Sequence, residues 1–481
     1  MSDSPTSEPE SAFVCDCIGF SEGITRGFDY SYMRAACVEE PFYKEHEGLP
    51  YCVLHFPGKE KSVDFKTALH RKLDNKDFNF RGLWFPDELS FDEFNFSAEA
   101  DFSFATFSAE VNFSSVTFST EASFRSAIFS AGASFIRTTF TEKADFGSAT
   151  FNGFAFFYSV TFSAAADFNH VTFSATARFF RATFNSEASF RSAILSAEAF
   201  FNETTFSTTA SFTSATFRAE ADFNETTFSA AAHFNAATFA DHVRFEGTVF
   251  TDTSSLDLQF ARIEESDHVS FHTLSLRPYW FVNVDPRKFD FTNVDWDWRN
   301  IEEEVASLQG KFVSPESRLL SIACWHLAVN AEENRRYEEA SKFRYMAMDV
   351  RRRERWRGWT FWRLSWWYWV ASGYGERALQ ALIVLIGIWL LSGMLYSSVG
   401  FARWEPKLSS ESDVVNAKRD DLGAPLRFSR ALTYSAGVMT LQKPEPRPAT
   451  SAAQTVVLLE VILGPAQAAL LALAIRRRFM R

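Results

Sequence analysis

One residue sets the period of this chain. From Phe80 to Phe250 a Phe recurs at alternating steps of five and six residues, which gives an 11-residue period. One ladder runs Phe80, Phe91, Phe102 and on to Phe245; a second runs Phe85, Phe96, Phe107 and on to Phe250. Of these 32 rungs, Leu195 alone is not Phe. A small residue stands two places before many first-ladder rungs, as in Ala100, Ala122, Ala144, Ala166, Ala188, Ala210 and Ala232. Self-similarity of this kind specifies a repeat architecture.

An 11-residue period can wind a right-handed helical supercoil, but steps of five set successive Phe about 140° apart around a helix, so no apolar stripe forms. The segment is also rich in Ser, Thr, Asn and Phe, which are middling to poor helix formers. In an extended segment Ala at i−2 and Phe at i share one face. The intervening Asp101, Asp145, Asp167 and Asp222 then point outward, as do Thr106, Thr117 and Thr139. No unit is long enough to bury its own face, so stacked coils must do it together.

The Ala-Asp-Phe units at 100–102, 144–146, 166–168 and 221–223 resemble the pentapeptide-repeat family, in which a small residue and Asp or Asn precede a central Leu or Phe. The resemblance covers residues 78–253 and implies a right-handed quadrilateral β-helix with four faces per coil. Here every second unit gains one residue, so about 22 residues make a coil and about eight coils make a rod roughly 40 Å long with a stacked Phe core. The expected fold class is mixed: this solenoid, an α-helical neck and two transmembrane helices.

The net charge of −12 and the pI of about 5.4 exclude an ordinary nucleic-acid binder. Residues 100–253 carry 15 Asp/Glu against 8 Lys/Arg, so the rod itself is acidic. Some pentapeptide-repeat proteins mimic DNA and inhibit topoisomerases; that is a minor alternative here. The solenoid Phe are core. With scattered histidines, no nucleophile–base constellation and no phosphate-binding Gly-rich loop, no enzyme is expected.

Residues 1–11 read as a disordered Ser/Pro/Glu-rich tail without an export signal, and residues 12–77 as a cysteine-bearing cap. Four thiol or imidazole donors can hold a tetrahedral Zn²⁺ and staple a short, loop-rich cap. The candidates are Cys15, Cys17, Cys37, Cys52 and His55, of which four suffice. Tyr51 to His55 is similar to the second half of a small zinc knuckle. Reduced cysteines without metal are the alternative; disulfides are disfavoured in a chain with no export signal. Val63 to Leu73, with Phe65, Leu69 and Leu73 on one side, reads as a helix capping the first coil.

Beyond the repeat, residues 254–300 read as an irregular end of the β-helix, closing near Phe291 and Trp296. Ser314-Pro315 is a helix start, and residues 314–355 form a helical neck with a break near Asn334. Tyr337, Ala340 and Phe343 resemble part of a tetratricopeptide helix pair. Arg351 to Trp369 holds six Arg and six Trp, so residues 356–376 belong at a membrane surface. Residues 377–481 read as a two-span hairpin. Ala378 to Val399 has 22 residues and no charge; Thr455 to Ile475, closed by Arg476, Arg477 and Arg478, is the second span. The flanking Arg place both termini in the cytoplasm of a cell (inner or plasma) membrane protein, with residues 402–454 outside.

Between the spans, residues 428–441 form a re-entrant-like helix. Ala431 to Ser435 with Val438 and Thr440 resembles the end of the pore helix of two-span bacterial potassium channels, and Leu459-Glu460 with Leu463-Gly464 resembles the start of their inner helix. The filter departs from that family: Thr440-Leu441-Gln442-Lys443-Pro444 has no Gly to expose carbonyls. Glu460, a carboxylate inside a span, and Thr440 are the candidate intramembrane polar residues. The preferred reading is a membrane-anchored scaffold whose acidic rod binds a protein partner and whose hairpin self-associates. The alternative is a channel-like pore protein without a potassium filter.

Overall fold

A computed structural model describes residues 15, 35–37, 40–264, 269–298, 303, 306, 316–354, 364–399, 401, 426–444, 447–448 and 450–479. The chain divides into two compact units, residues 1–300 and 301–481. Cys17, the tail 1–11, most of the Arg/Trp stretch and most of the loop between the spans lie outside the described residues.

The first unit is a β-solenoid. Two-residue strands stack into four parallel sheets of 8, 9, 10 and 8 strands. Ala122 pairs with Ala100 on one side and Ala144 on the other, and Phe129 pairs with Phe107 and Phe151. Each partner lies 22 residues away, which is the coil length expected from the doubled period. Phe rings in successive coils therefore stack face to face: Phe124 on Phe146 at 4.9 Å and 5°, Phe135 on Phe157 at 4.9 Å and 1°. Within the core neighbouring columns meet edge to face, as Phe124 meets Phe135 at 5.5 Å and 88°. Both geometries suit the ring quadrupole, and Phe102 to Phe245 are fully buried at each first-ladder rung.

The corners explain the alternating step. After each first-ladder Phe comes a tight turn whose third residue is left-handed: Glu93, Ser115, Ser148 and Glu203 have φ of 57°, 57°, 59° and 54°. A backbone bond closes most of them, as Phe94 N–H donates to Phe91 O at 2.8 Å. The left-handed conformation costs an ordinary L-residue about 1–2 kcal/mol, yet most of these positions hold Ser, Glu or Arg. The six-residue step has one more residue to round its corner and uses no left-handed residue between Phe80 and Phe250. The outward Asp residues also serve the turns. Asp101, Asp145, Asp167 and Asp222 each accept the backbone N–H two residues on at 2.8–2.9 Å, an Asx turn.

The stack runs further than eight coils. Its largest sheet has 10 strands, because Phe245 pairs with Phe271 and Phe271 with Phe291. Here partners are 26 and then 20 residues apart, so the sheets continue although the period is lost. Trp280, Phe281 and Trp296 fill the last coil, with Trp280 against Phe250 at 5.1 Å. At the other end lies helix α1 (Ser62–Asp74), whose Phe65 meets Phe85 edge-on at 5.4 Å. Before it a hairpin pairs β1 (Phe42–His46) with β2 (Leu49–Cys52). Its two-residue loop, Glu47-Gly48, has φ of 54° and 79°, the left-handed pair that matches strand twist.

The second unit is helical. Helices α2 (Glu316–Glu333) and α3 (Tyr337–Glu354) form an antiparallel pair, and Arg335 at φ 60° makes the break expected near Asn334. Then come α4 (Leu364–Ser372), α5 (Ala378–Tyr396), α6 (Phe428–Met439) and α7 (Ser451–Phe479). A buried carboxylate, Glu376, joins the pair to the rest. It accepts Arg344 Nε at 2.9 Å, Arg477 Nη1 at 3.1 Å and Ser341 Oγ at 2.8 Å.

Candidate metal centre and a buried carboxylate

Three separate segments bring Cys15, Cys37, Cys52 and His55 together, all buried, with their ligand atoms within 4.8 Å of one another. Cys37 ends a short 3₁₀ turn, Ala35–Cys37, and Cys52 ends β2. The chain then turns at once: His55 and Phe56 N–H both donate to Cys52 O, at 3.2 and 3.0 Å, and this sets the imidazole beside the thiol. Cys52 Sγ lies 3.1 Å from His55 Nδ1, and Cys15 Sγ lies 3.8 Å from it. Tetrahedral zinc with metal–sulfur bonds of about 2.3 Å sets ligand atoms roughly 3.5–3.8 Å apart, so the cluster has the right size. Of the five expected candidates, four are gathered; Cys17 lies outside the described residues.

The surroundings fit a metal. His55 Nε2 lies 3.1 Å from Arg81 O, so that nitrogen carries the proton and Nδ1 turns its lone pair to the thiols. Lys61 is fully buried nearby, with Nζ donating to Leu54 O at 2.7 Å and lying over the Phe65 ring at 4.5 Å. Burial drives its pKa well down, while Cys52 and Cys15 pull it back up. A buried ammonium needs a compensating charge. Three thiolates and an imidazole around Zn²⁺ would carry one net negative charge and would supply it.

In the second unit Glu460 is buried where α5, α6 and α7 meet. Tyr396 Oη on α5 donates to it at 2.5 Å, and Ser435 Oγ on α6 also donates to it. Thr440, the other candidate, is exposed and donates within its own helix end to Ala436 O and Gly437 O, at 2.9 and 3.1 Å. The next residues close α6. Leu441 N–H donates to Val438 O at 3.0 Å and Gln442 N–H to Gly437 O at 2.9 Å, with Leu441 left-handed at φ 62°. This is a Schellman cap. Gly464 on α7 admits Met439 of α6, which would lie 2.9 Å from a Cβ there. The sequence pattern marked Glu460 but not its partners, because Tyr396 and Ser435 lie 64 and 25 residues away.

Two helices, Ala378–Tyr396 and residues 451–477 of α7, are long and apolar enough to cross a membrane, and little of their apolar stretch is buried. Leu382, Ile383, Ile386, Leu458 and Ile462 stand exposed on them.

Residues 91–139 match the family model described as pentapeptide repeats (9 copies). No curated protein and no solved structure matches the chain. The pentapeptide repeat thus accounts for the solenoid, and the pairing of 22-residue coils carries the same fold past the matched segment to Phe250.

Proposed function

We propose that this protein is a membrane-anchored scaffold: a pentapeptide-repeat rod for binding other proteins, carried by a two-span hairpin, with a zinc-stapled cap. The observation that carries this reading is the apolar surface of α5 and α7, which is turned outward while Ser392, Glu460 and Gln467 are turned in. Such a surface is stable in lipid and costly in water. The rod's interior is filled by rings, so its chemistry is on its outside. The Arg clusters beside the two spans favour cytoplasmic termini, and the hairpin is the part suited to self-association.

The zinc site is structural in this reading. The donors are buried, and three Cys with one His leave no open position for a substrate. Metal analysis of reduced protein is expected to give one Zn²⁺ per chain; no stoichiometric metal would remove the site from the proposal.

A pore is the second reading, supported by the order span, short helix, span. Two features count against a conducting filter. The Schellman cap spends Gly437 and Val438 carbonyls on backbone N–H groups, and Glu460 is engaged by Tyr396 and Ser435 rather than lining a path. Planar-bilayer recordings of the purified protein distinguish the readings. The scaffold predicts no unitary currents; reproducible currents abolished by Glu460→Gln would replace it with the pore.

A further inference from the structure

The four faces of the solenoid share one backbone, but one face departs from the others in what it turns outward. Most outward positions hold Ser, Thr, Asp or Asn. On the 10-stranded sheet one coil instead carries Phe154, Phe156 and Tyr158, and the next two add Phe180 and Phe200. The preceding coil has Gly132, Ser134 and Ile136 at the positions of the first three. These rings touch in series: Phe154–Phe156 at 6.0 Å, Phe156–Tyr158 at 6.3 Å and Tyr158–Phe180 at 5.7 Å.

The face already shows what it holds. The Arg181 guanidinium lies over Phe180 at 4.8 Å, and that of Arg178 lies over Phe200 at 5.6 Å while donating to Tyr158 Oη at 3.2 Å. Each cation is thus seated on a ring, and Glu203 accepts from Arg181 at 2.7 Å. Phe154 is 51% exposed, and among the described residues no cation lies over it. It opens onto a groove of about 660 Å³ whose charged lining residues are Glu88 and Glu110, both exposed. Gly153 lets the chain turn close to the preceding coil, where a Cβ would meet Ala131 backbone at 2.4 Å. Glu110 leans toward Gly132, the residue one coil from Phe154, and Glu88 lies at the far end of the groove. An uncovered ring with a carboxylate one coil away and no basic neighbour in the groove is complementary to an external cation.

We propose that this groove is a docking site for an extended polypeptide segment bearing Arg or Lys, with one cationic side chain over Phe154 and paired with Glu110, and a second basic residue further along the segment meeting Glu88. This rests on the reading of the rod as a protein-binding scaffold and names the face and the partner chemistry. Among basic groups Arg fits best, because its planar guanidinium stacks on a ring and pairs with a carboxylate together.

The test uses the full chain in lipid nanodiscs and fluorescent peptides of equal length carrying repeated Arg, repeated Glu or only Ser and Gly. Anisotropy should show binding of the Arg peptide alone. Phe154→Thr, which installs the residue found at the equivalent position of the next coil, should weaken it about tenfold, as should the pair Glu88→Gln and Glu110→Gln. Phe154→Trp should restore binding. Undiminished binding by Phe154→Thr would overturn the site and leave only the field of an acidic rod; equal binding of the Glu or Ser/Gly peptide would also overturn it. A change in oligomeric state of Phe154→Thr without peptide would assign the groove to a second copy and overturn it as well. Carbonate extraction of the same variants separates the two levels: retained protein that ignores the Arg peptide defeats this inference alone, whereas extracted wild-type protein defeats the anchored scaffold.

Discussion

Replacing Phe151 by Leu tests whether ring stacking, beyond burial, holds the coils together. Phe151 stacks on Phe129 at 4.4 Å and 4° and on Phe173 at 5.0 Å and 17°, and it meets Phe157 edge-on at 5.9 Å. Leu keeps most of the buried apolar area, and Leu195 already sits fully buried in the same column between Phe173 and Phe217. The backbone ladder therefore survives the exchange. With the tilted contact to Phe146 at 6.3 Å, what is lost is four aromatic pairs at about 0.5–1.5 kcal/mol each, less what Leu regains by contact, or about 2–3 kcal/mol. In a solenoid this loss is felt mainly by adjoining coils. Hydrogen exchange on the full chain reads it directly: amides of residues 128–173 should exchange roughly 30–100 times faster, and those of residues 89–107 should change little. The reverse exchange, Leu195→Phe, should slow exchange in its own coils by about tenfold, because it restores two stacks at one coil spacing. Acceleration below about threefold for Phe151→Leu would refute stacking as a stabilising term. Equal acceleration along the whole rod would refute the local coupling and show one cooperative unit.

Two further tests address the buried polar groups. Lys61→Met keeps the packing against Phe65 but removes the amine that would balance the thiolates of the proposed site, so zinc affinity measured against a chromophoric chelator should fall about 10-fold or more; an unchanged affinity would make Lys61 a packing residue only. Glu460→Ala leaves the Tyr396 and Ser435 hydroxyls without their shared acceptor and should cost about 2–4 kcal/mol, seen as a lower melting temperature in detergent. Adding Tyr396→Phe should recover part of that loss, and strictly additive effects would show that the two groups do not act on each other.

The Phe ladders made the solenoid legible because one side chain satisfied two demands at once, filling the core and marking the coil. The same reasoning placed α1, the break between α2 and α3, and both long apolar helices within a few residues. It stopped short at the C-terminal coils, where Leu258 and Ile263 replace rungs of Phe, Leu256 stands at the place of Ala232, and coil lengths change to 24 and 26 residues. The left-handed turn positions were also hidden. Their Ser, Glu and Arg residues carry no signal of positive φ; the stacked neighbours impose it. At the Cys/His cluster, spacing could not choose among five donors, since three segments far apart in sequence converge. Lys61 had no signature at all: a buried Lys reads like any surface Lys until Phe65 and Trp84 enclose it. Phe154-x-Phe156-x-Tyr158 was visible as letters, but among so many Phe its outward direction emerged only from the alternation of buried Ala155 and Phe157.

That alternation separates what the repeat must conserve for folding from what it is free to vary. Inward positions are fixed by ring spacing, and corner positions by the turns that Asp and Asn side chains support. An outward residue whose side chain caps no turn touches neither, so its replacement leaves the fold nearly indifferent. Polar residues there keep a rod soluble, and a run of exposed rings works against that. Phe154, Phe156 and Tyr158 are thus residues the solenoid does not need and tolerates at some cost, on the same face that seats Arg178 and Arg181 on rings. The same logic applies to the helical unit. α5 and α7 expose apolar side chains that their own packing does not require, while Glu460, Tyr396 and Ser435 are turned inward and satisfied. In both units the residues unexplained by internal packing lie on the outside, where the proposed lipid would meet the helices and the proposed cationic chain would meet the rod.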